Sequence, residues 1–563
     1  MADPSTLQPT LPSPSTPSTS LSTLTIHADD PSNHLTDVAP PLHVSTTFRY
    51  SRDPTKLNPL TDEQIAANAA AQGPGSAVPA DAHIYSRVSA PNTSRLELIL
   101  TSVLGQPSLA YGSGLAAFHA LLVWLHPKVV AIGDGYHGCH GVLKLYQKLT
   151  GCKIVDLHDE GSWEGLGKGD VVHLETPVNP TGKAFNIERF AELAHARGAW
   201  LTIDATFAPP PLLDPFKWGA DFVMHSGTKY FGGHSDLLCG VIGVGKGREG
   251  WEKDYWGLFG ERIFLGSAVG SLEGWLGVRS LRTLELRVMR QSENAGRLVL
   301  WLDSAVREGG DGVSKVVQKV EHASLQKEDM EWLSRQMPNG FGPVFSVWMK
   351  SEELARRLPS KLEFFHHATS LGGVESLIEW RKMSDQSVEG TLMRISVGIE
   401  NWEDLKGDLE RGFARLVEEE EGKTALPHLS HASIHPASSS KRPSQPSPPR
   451  PALDQQLRNH QRHKHCPSPP PKSTQIHTFS SASRTHVQAA PIAFPTWRKT
   501  KPSIIRSILS RHPLPYHPLS TSAPPNFSPR SSPCTPPPPP STPAPSPMTP
   551  PTVSPRRSSS PVI

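Results

Sequence analysis

In this 563-residue chain four short apolar runs each end in a polar cluster, and the clusters hold the side chains that can do chemistry. Val129-Val130-Ala131-Ile132 leads into Gly133-Asp134-Gly135, and Val171-Val172-His173-Leu174 into Glu175-Thr176-Pro177. Trp200-Leu201-Thr202-Ile203 leads into Asp204, and Asp221-Phe222-Val223-Met224 into His225-Ser226-Gly227. Lys229 stands just past the last run. A lysine amine can join a carbonyl carbon and, once released, carry a proton. Ser226 and Thr228 beside it offer hydroxyls to an anion. Asp204, 25 residues earlier, is an acid that can keep a ring nitrogen protonated. Gly112-Ser113-Gly114-Leu115-Ala116-Ala117 is a small-residue turn opening a helix, and such a turn presents backbone N–H groups to an anion. Singly, each has a plain structural explanation, such as a solvated loop lysine or a capping aspartate. Their joint placement carries the argument.

The elements that must position these groups follow from the apolar pattern. Each run reads as a buried strand that ends in polar residues. Ile187 to Arg197 reads as a helix, with Ile187, Phe190, Ala191 and Ala194 on one face and Gly198 stopping it. Strands alternating with helices imply an α/β architecture, a mainly parallel sheet covered on both faces. Ligands bind beyond the carboxyl ends of strands in such sheets, where the clusters fall. A large domain is expected over residues 87–290 and a smaller C-terminal α+β domain over 291–421. The latter closes on a helix with Leu405, Leu409, Phe413 and Leu416 in one stripe. Residues 26–86 read as an N-terminal arm with an insertion.

Residues 1–25 and 422–563 read as disordered tails, because Pro- and Ser-rich sequence buries too little surface to offset its ordering entropy. From His431 onward sixteen Lys and Arg face one acid, Asp454, a charge of +15 in a chain of net charge +3, so residues 1–430 carry −12. The basic balance thus belongs to the tail, and no nucleic-acid partner is expected of the folded part. No signal peptide, transit peptide, peroxisomal address or transmembrane run is read, so no membrane association is expected. The five cysteines form no CxxC pair, and a reducing, cytoplasmic location is expected. No metal site is read.

The string Ser226-Gly227-Thr228-Lys229-Tyr230-Phe231-Gly232-Gly233-His234-Ser235-Asp236 resembles the cofactor-lysine motif of the Cys/Met-metabolism enzymes that use pyridoxal 5′-phosphate, the trans-sulfuration family of cystathionine γ-synthase, β-lyase and γ-lyase. The resemblance spans about residues 40–420. It implies fold-type I, the aspartate-aminotransferase-like architecture, with Lys229 holding the cofactor. Asp204, in Ile203-Asp204-Ala205-Thr206-Phe207, resembles the aspartate paired with the pyridine nitrogen, and Thr206 joins it at the cofactor. The turn with Gly114 and Leu115 resembles the phosphate cradle, shared with Ser226 and Thr228. Tyr136 falls where the family stacks a tyrosine on the cofactor ring. Glu175-Thr176-Pro177-Val178-Asn179-Pro180 resembles a motif whose asparagine, here Asn179, meets the cofactor's phenolic oxygen. Tyr85-Ser86-Arg87 resembles a motif that reaches the phosphate from a neighbouring subunit, which implies a homodimer or homotetramer with shared sites. Thr369-Ser370-Leu371-Gly372-Gly373 and Arg394-Ile395-Ser396-Val397-Gly398 resemble the segments that bind substrate. Arg394 then grips the α-carboxylate, helped by Ser370 and Asn179. Lys229, Tyr136 and Tyr85 are the expected catalytic residues.

Three features depart from the family pattern. Arg49 to His83 intervene between Ser45-Thr46-Thr47-Phe48 and the Tyr85 motif, with a helix-like stretch at Asp62–Gln72 and a loop at Gly73–Ala82. Thr369 stands where members with γ-carbon chemistry carry glutamate, and a neutral side chain cannot pair with the distal ammonium of cystathionine. The basic tail is foreign to the family. The expected activity is therefore carbon–sulfur β-elimination on cystathionine or a related sulfur amino acid. The rivals are γ-replacement or γ-elimination, by a cystathionine γ-synthase, an O-acyl-homoserine sulfhydrylase or a γ-lyase, and, from another class, a catalytically silent scaffold with an interaction tail.

Overall fold

Seven strands form the larger of two sheets: β1 (Ser108–Tyr111), β2 (Val129–Ile132), β3 (Lys153–Asp156), β4 (Val171–Glu175), β5 (Trp200–Asp204), β6 (Phe222–Ser226) and β7 (Gly240–Val244). Their order is β1-β7-β6-β5-β4-β2-β3. Only β7 runs against its neighbours; the other pairings are parallel. The computed structural model describes residues 19–33, 36–57, 83–310 and 312–425. The four strands expected from the apolar runs are β2, β4, β5 and β6.

Helices cover both faces, as β-branched strands buried on two sides require. They are α1 (Leu21–His27), α2 (Pro91–Leu104), α3 (Gly114–Leu125), α4 (His137–Thr150), α5 (Ile187–His195), α6 (Trp251–Leu265), α7 (Ser271–Leu281) and α8 (Leu284–Glu308). Phe118 and Leu121 of α3, Leu143 of α4 and Leu258 of α6 pack on one face. Leu96 and Leu100 of α2, Phe190 of α5 and Val288 of α8 pack on the other. Helix α5 starts under the cap of Asn186, whose side chain accepts from the Arg189 N–H at 3.2 Å. It stops before Gly198, which takes φ +71°.

The second sheet has the order β10-β11-β12-β9-β8, with β8 (Val317–Glu321), β9 (Val344–Met349), β10 (His366–His367), β11 (Leu377–Trp380) and β12 (Leu392–Ser396). It is antiparallel except at β10–β11. The end of α8 and the helix α9 (Trp402–Ala425) pack on it. Leu405, Leu409, Phe413 and Leu416 are all buried there, as their spacing predicts. Each such side chain contributes roughly 1.5–3 kcal/mol.

The structure corrects three expected boundaries. Residues 19–25 are not without structure, since α1 begins at Leu21. Arg282 donates to the carbonyls of Thr25 and Ile26, and Asp29 is buried between Arg95 and Arg282. The expected division at 290/291 falls inside α8, which serves both sheets. Helix α9 continues to Ala425, past the expected end at 421. The helix-like stretch and loop expected within 62–82, and the tail beyond Ala425, lie outside the described residues.

Candidate active site

The carboxyl ends of β4, β5 and β6 and the start of α3 converge on a cavity of about 300 Å³. Ser113, Gly114, Leu115, Tyr136, Asn179, Asp204, Thr206, Ser226, Thr228, Lys229, Ser370 and Arg394 all line it. Tyr85 and Arg87, expected at the same site, do not. Tyr85 is 43 % exposed, and Arg87 donates to the carbonyl of Ile263 at 3.0 Å, its guanidinium 5.5 Å from the Tyr85 ring centroid. Despite the insertion, Tyr85 pairs with Thr47 in an antiparallel bridge, flanked by bonds from Phe48 N–H to the Ile84 carbonyl and from Ser86 N–H to the Thr46 carbonyl.

Lys229 donates from Nζ to Ser370 Oγ at 2.6 Å. Burial and the nearby Arg394 charge lower its pKa to about 8, against the pull of Glu379. Ser370 holds its hydroxyl there in a left-handed backbone conformation, φ +78°, which a serine rarely adopts. Gly372 follows with φ +82°; a Cβ at that position would come within 3.0 Å of the Lys229 carbonyl carbon, so only glycine lets the two loops meet.

Asp204, at the end of β5, accepts from the Thr206 N–H at 3.0 Å and the Thr206 hydroxyl at 2.6 Å. Thr206 Oγ1 in turn accepts from the Ser226 N–H at 2.8 Å, tying β5 to β6. Burial raises the Asp204 carboxyl, while the two Thr206 bonds pull it down. Glu175 is paired with Asp204 across β4 and β5. It accepts from the Tyr136 N–H and the Asn179 N–H, each at 2.7 Å. Burial and the facing Asp204 push its carboxyl up to about 8, so at neutral pH the two carboxyls do not both ionise.

Arg394 is buried in β12. Its Nη1 donates to Asn179 Oδ1 at 3.1 Å, and Nη2 to the Ser370 carbonyl at 2.8 Å. Glu379, its cross-strand neighbour on β11, lies 2.6 Å from Nη2. Burial lowers the Arg394 pKa to about 10, with Glu379 opposing. Sequence reasoning assigned no individual role to Glu175, and it missed Glu379 and Arg381 altogether. The position of Glu175 at a strand end was a usable signal.

At the other end of the cavity, Ser113 caps α3 by accepting from the Ala116 N–H at 3.1 Å. The first turn leaves the N–H groups of Gly114 and Leu115 without acceptors inside the helix. A Cβ on Gly114 would lie 3.2 Å from the Ser226 side chain. The Thr228 hydroxyl bonds the backbone of Cys239, to its carbonyl at 3.3 Å and from its N–H at 3.0 Å. Thr228 therefore ties the lysine loop to the start of β7, while Ser226 stays at the cavity wall.

An amine on one wall, a hydrogen-bonded carboxyl at a strand end and unpaired helix N–H groups together suit a phosphate-bearing aldehyde with a ring nitrogen. On an open α/β sheet joined to an α+β domain, this combination defines a fold-type I enzyme of pyridoxal phosphate. Residues 22–414 match the model of the Cys/Met metabolism PLP-dependent enzymes, and the chain belongs to that family. The match begins well before residue 40, where the resemblance was expected to start. The chain is 30% identical over 352 residues to a cystathionine beta-lyase of Lactococcus lactis subsp. cremoris, covering 59% of this chain and 88% of that protein. It is 35% identical over 351 residues to a cystathionine gamma-synthase of Mycobacterium bovis, covering 58% and 86%. The crystal structure of apo CalE6, a methionine gamma lyase from Micromonospora echinospora, aligns with TM-score 0.59 and 30% identity over 70% of this chain and 99% of that one. The protein is thus a pyridoxal-phosphate enzyme of sulfur amino-acid metabolism that acts on small amino acids. Among the described residues no helix is long and apolar enough to cross a membrane, and no cluster suited to a metal ion is found.

Proposed function

We propose that this enzyme breaks the Cβ–S bond of cystathionine or a closely related sulfur amino acid. The observation that carries the reading is Thr369, which lines the cavity beside the lysine-bound Ser370. The carboxylates lining that cavity are Glu175 and Asp204, which face each other at the ends of β4 and β5. Among the described residues lining the cavity there is no further acid, and a neutral Thr369 stands where the resembled γ-carbon enzymes carry glutamate.

Bound pyridoxal phosphate supplies the electron sink for bond breaking next to the substrate amine. Asp204 would hold the ring nitrogen protonated, with Thr206 fixing its carboxyl. Gly114, Leu115 and Ser226 would receive the phosphate, and Tyr136 would hold the ring. Arg394 holds the α-carboxylate, with Asn179 orienting the guanidinium. Lys229, as a neutral amine, would take the α-proton, held in place by Ser370. The thiolate then leaves from Cβ, and water completes the conversion to pyruvate and ammonia.

The same proposal includes an oligomer with shared sites. The lysine and arginine residues lining the cavity, among the described residues, are Lys229, Arg381 and Arg394. Tyr85 and Arg87, outside their own chain's cavity, would serve a neighbour's, because the guanidinium fork suits phosphate. A cytoplasmic location belongs to this proposal too, supported by the buried, free Cys139, Cys152 and Cys239.

The test is product analysis on purified holoenzyme with cystathionine. Pyruvate with homocysteine is expected. Oxobutyrate would indicate γ-elimination, and a new thioether from an activated homoserine would indicate γ-replacement; either would overturn the reading.

A further inference from the structure

Glu379, on β11, is 3% exposed and stands behind the cavity wall. Two arginines that line the cavity, Arg381 and Arg394, meet on its carboxylate. Strand register places it directly across from Arg394. Its Oε2 lies 2.6 Å from Arg394 Nη2 and accepts from Arg381 Nη1 at 2.9 Å. Its Oε1 accepts from the Ser384 hydroxyl at 2.6 Å. Burial works against the ionised carboxyl, yet Arg394, Ser384 and Arg381 together hold it below the usual glutamate value. Glu379 is therefore an anion at neutral pH.

The two guanidinium groups do not depend on it equally. Arg381 has further partners, Ser384 Oγ at 2.8 Å and Asp385 at 3.9 Å. Arg394 also donates to Asn179 Oδ1 and the Ser370 carbonyl, but both are neutral acceptors held in loops. Among the described residues Glu379 is its only ion-pair partner, and it sits on the neighbouring strand. Arg381 and Arg394 repel each other, and the carboxylate between them offsets that repulsion.

We propose that Glu379 is the positioning residue of the group that takes the substrate α-carboxylate: it fixes the Arg394 guanidinium from behind and stops Arg381 from pushing it out of line. This rests on the reading of Arg394 as the α-carboxylate grip and adds what holds that grip in place.

The test compares alanine with ethylamine, which is alanine without its carboxylate. Neither carries a leaving group on Cβ, so the comparison is independent of Cβ–S cleavage. Affinity for the holoenzyme is read from the change in cofactor absorbance, and the ratio of the two affinities is the carboxylate preference. In Glu379→Gln the amide turns a donor towards donors, and the preference should fall roughly tenfold, the worth of one charge-assisted contact. A residue that merely joined β11 to β12 would alter melting and both affinities alike, leaving the ratio unmoved. The double variant Glu379→Gln with Arg381→Gln removes the repulsion together with the carboxylate and should recover part of the preference. If Glu379→Gln does not fold, Glu379→Asp decides the same question: it keeps the charge but draws it back from Arg394, and the preference should fall by less than tenfold. An unchanged or higher preference in the folded variant would overturn the assignment, and a double variant no better than Glu379→Gln would overturn the part given to Arg381. Arg394→Gln is the control. A preference that survives there sinks the reading of Arg394 and the Glu379 assignment with it; a loss there with none in Glu379→Gln sinks the Glu379 assignment alone.

Discussion

Lys229 sits where burial and the neighbouring Arg394 both disfavour its charged form, and its pKa near 8 follows. Only the neutral amine captures an aldehyde, so cofactor uptake by the cofactor-free protein should accelerate as pH rises through about 8. Stopped-flow reconstitution across pH checks this; a midpoint near the ordinary lysine value of 10.5 would mean a solvated amine. Lys229→Ala should abolish turnover and remove the absorbance of the lysine-bound cofactor. Asp204→Asn should keep the fold, since an amide can still accept from Thr206, yet lower kcat by orders of magnitude. Near-native kcat with unchanged melting would show that Asp204 merely organises the Thr206 turn. Lys229 and Asp204 were legible because each follows a buried strand and stands in a distinctive local string. Arg381 was not, because it stands in no distinctive local string and only packing brings it to the cavity.

Between elements, Glu175 links Tyr136, 39 residues before it, to Asn179, four residues after it. Its carboxyl therefore sets where Tyr136 and Asn179 stand relative to each other. Gly135, at φ +155°, leaves it room, since a Cβ there would come within 2.5 Å of Glu175 Oε2. Glu175→Ala would leave both N–H groups without their acceptor, costing about 1–3 kcal/mol for each that stays dry. Chemical denaturation of the cofactor-free protein measures the loss, and a change within a few tenths of a kcal/mol would show that water replaces the carboxyl. The strands β2, β4, β5 and β6 were legible as apolar runs. Strand β3 is half exposed and carries only two apolar residues, and β7 is a glycine-bounded run whose antiparallel course no local pattern announces. The pairing of Glu379 with Arg394 was hidden for a related reason: strand register joins residues that one sequence does not mark as partners.

For the molecule as a whole, the two sheets are bound by α8, whose early residues belong to one core and whose later residues belong to the other. A boundary drawn from composition cannot detect a helix shared in this way. The exposed Tyr85 and Arg87 bear on assembly. Arg87→Ala should weaken cofactor binding although Arg87 lies outside its own chain's cavity. Mixing Arg87→Ala with Lys229→Ala subunits under exchange conditions should regenerate a fraction of wild-type turnover; no recovery in subunits shown to exchange would count against shared sites. The Thr47–Tyr85 bridge has a different consequence. It brings the chain back beside Thr47 on the far side of the inserted residues, so Thr47 and Tyr85 form a closed neck. Closure entropy grows only as the logarithm of the tethered length, about 0.6 kcal/mol per doubling. A short glycine-serine loop spliced in at that neck should therefore leave the register that presents Tyr85 in place, which unchanged cofactor affinity of the spliced protein would verify.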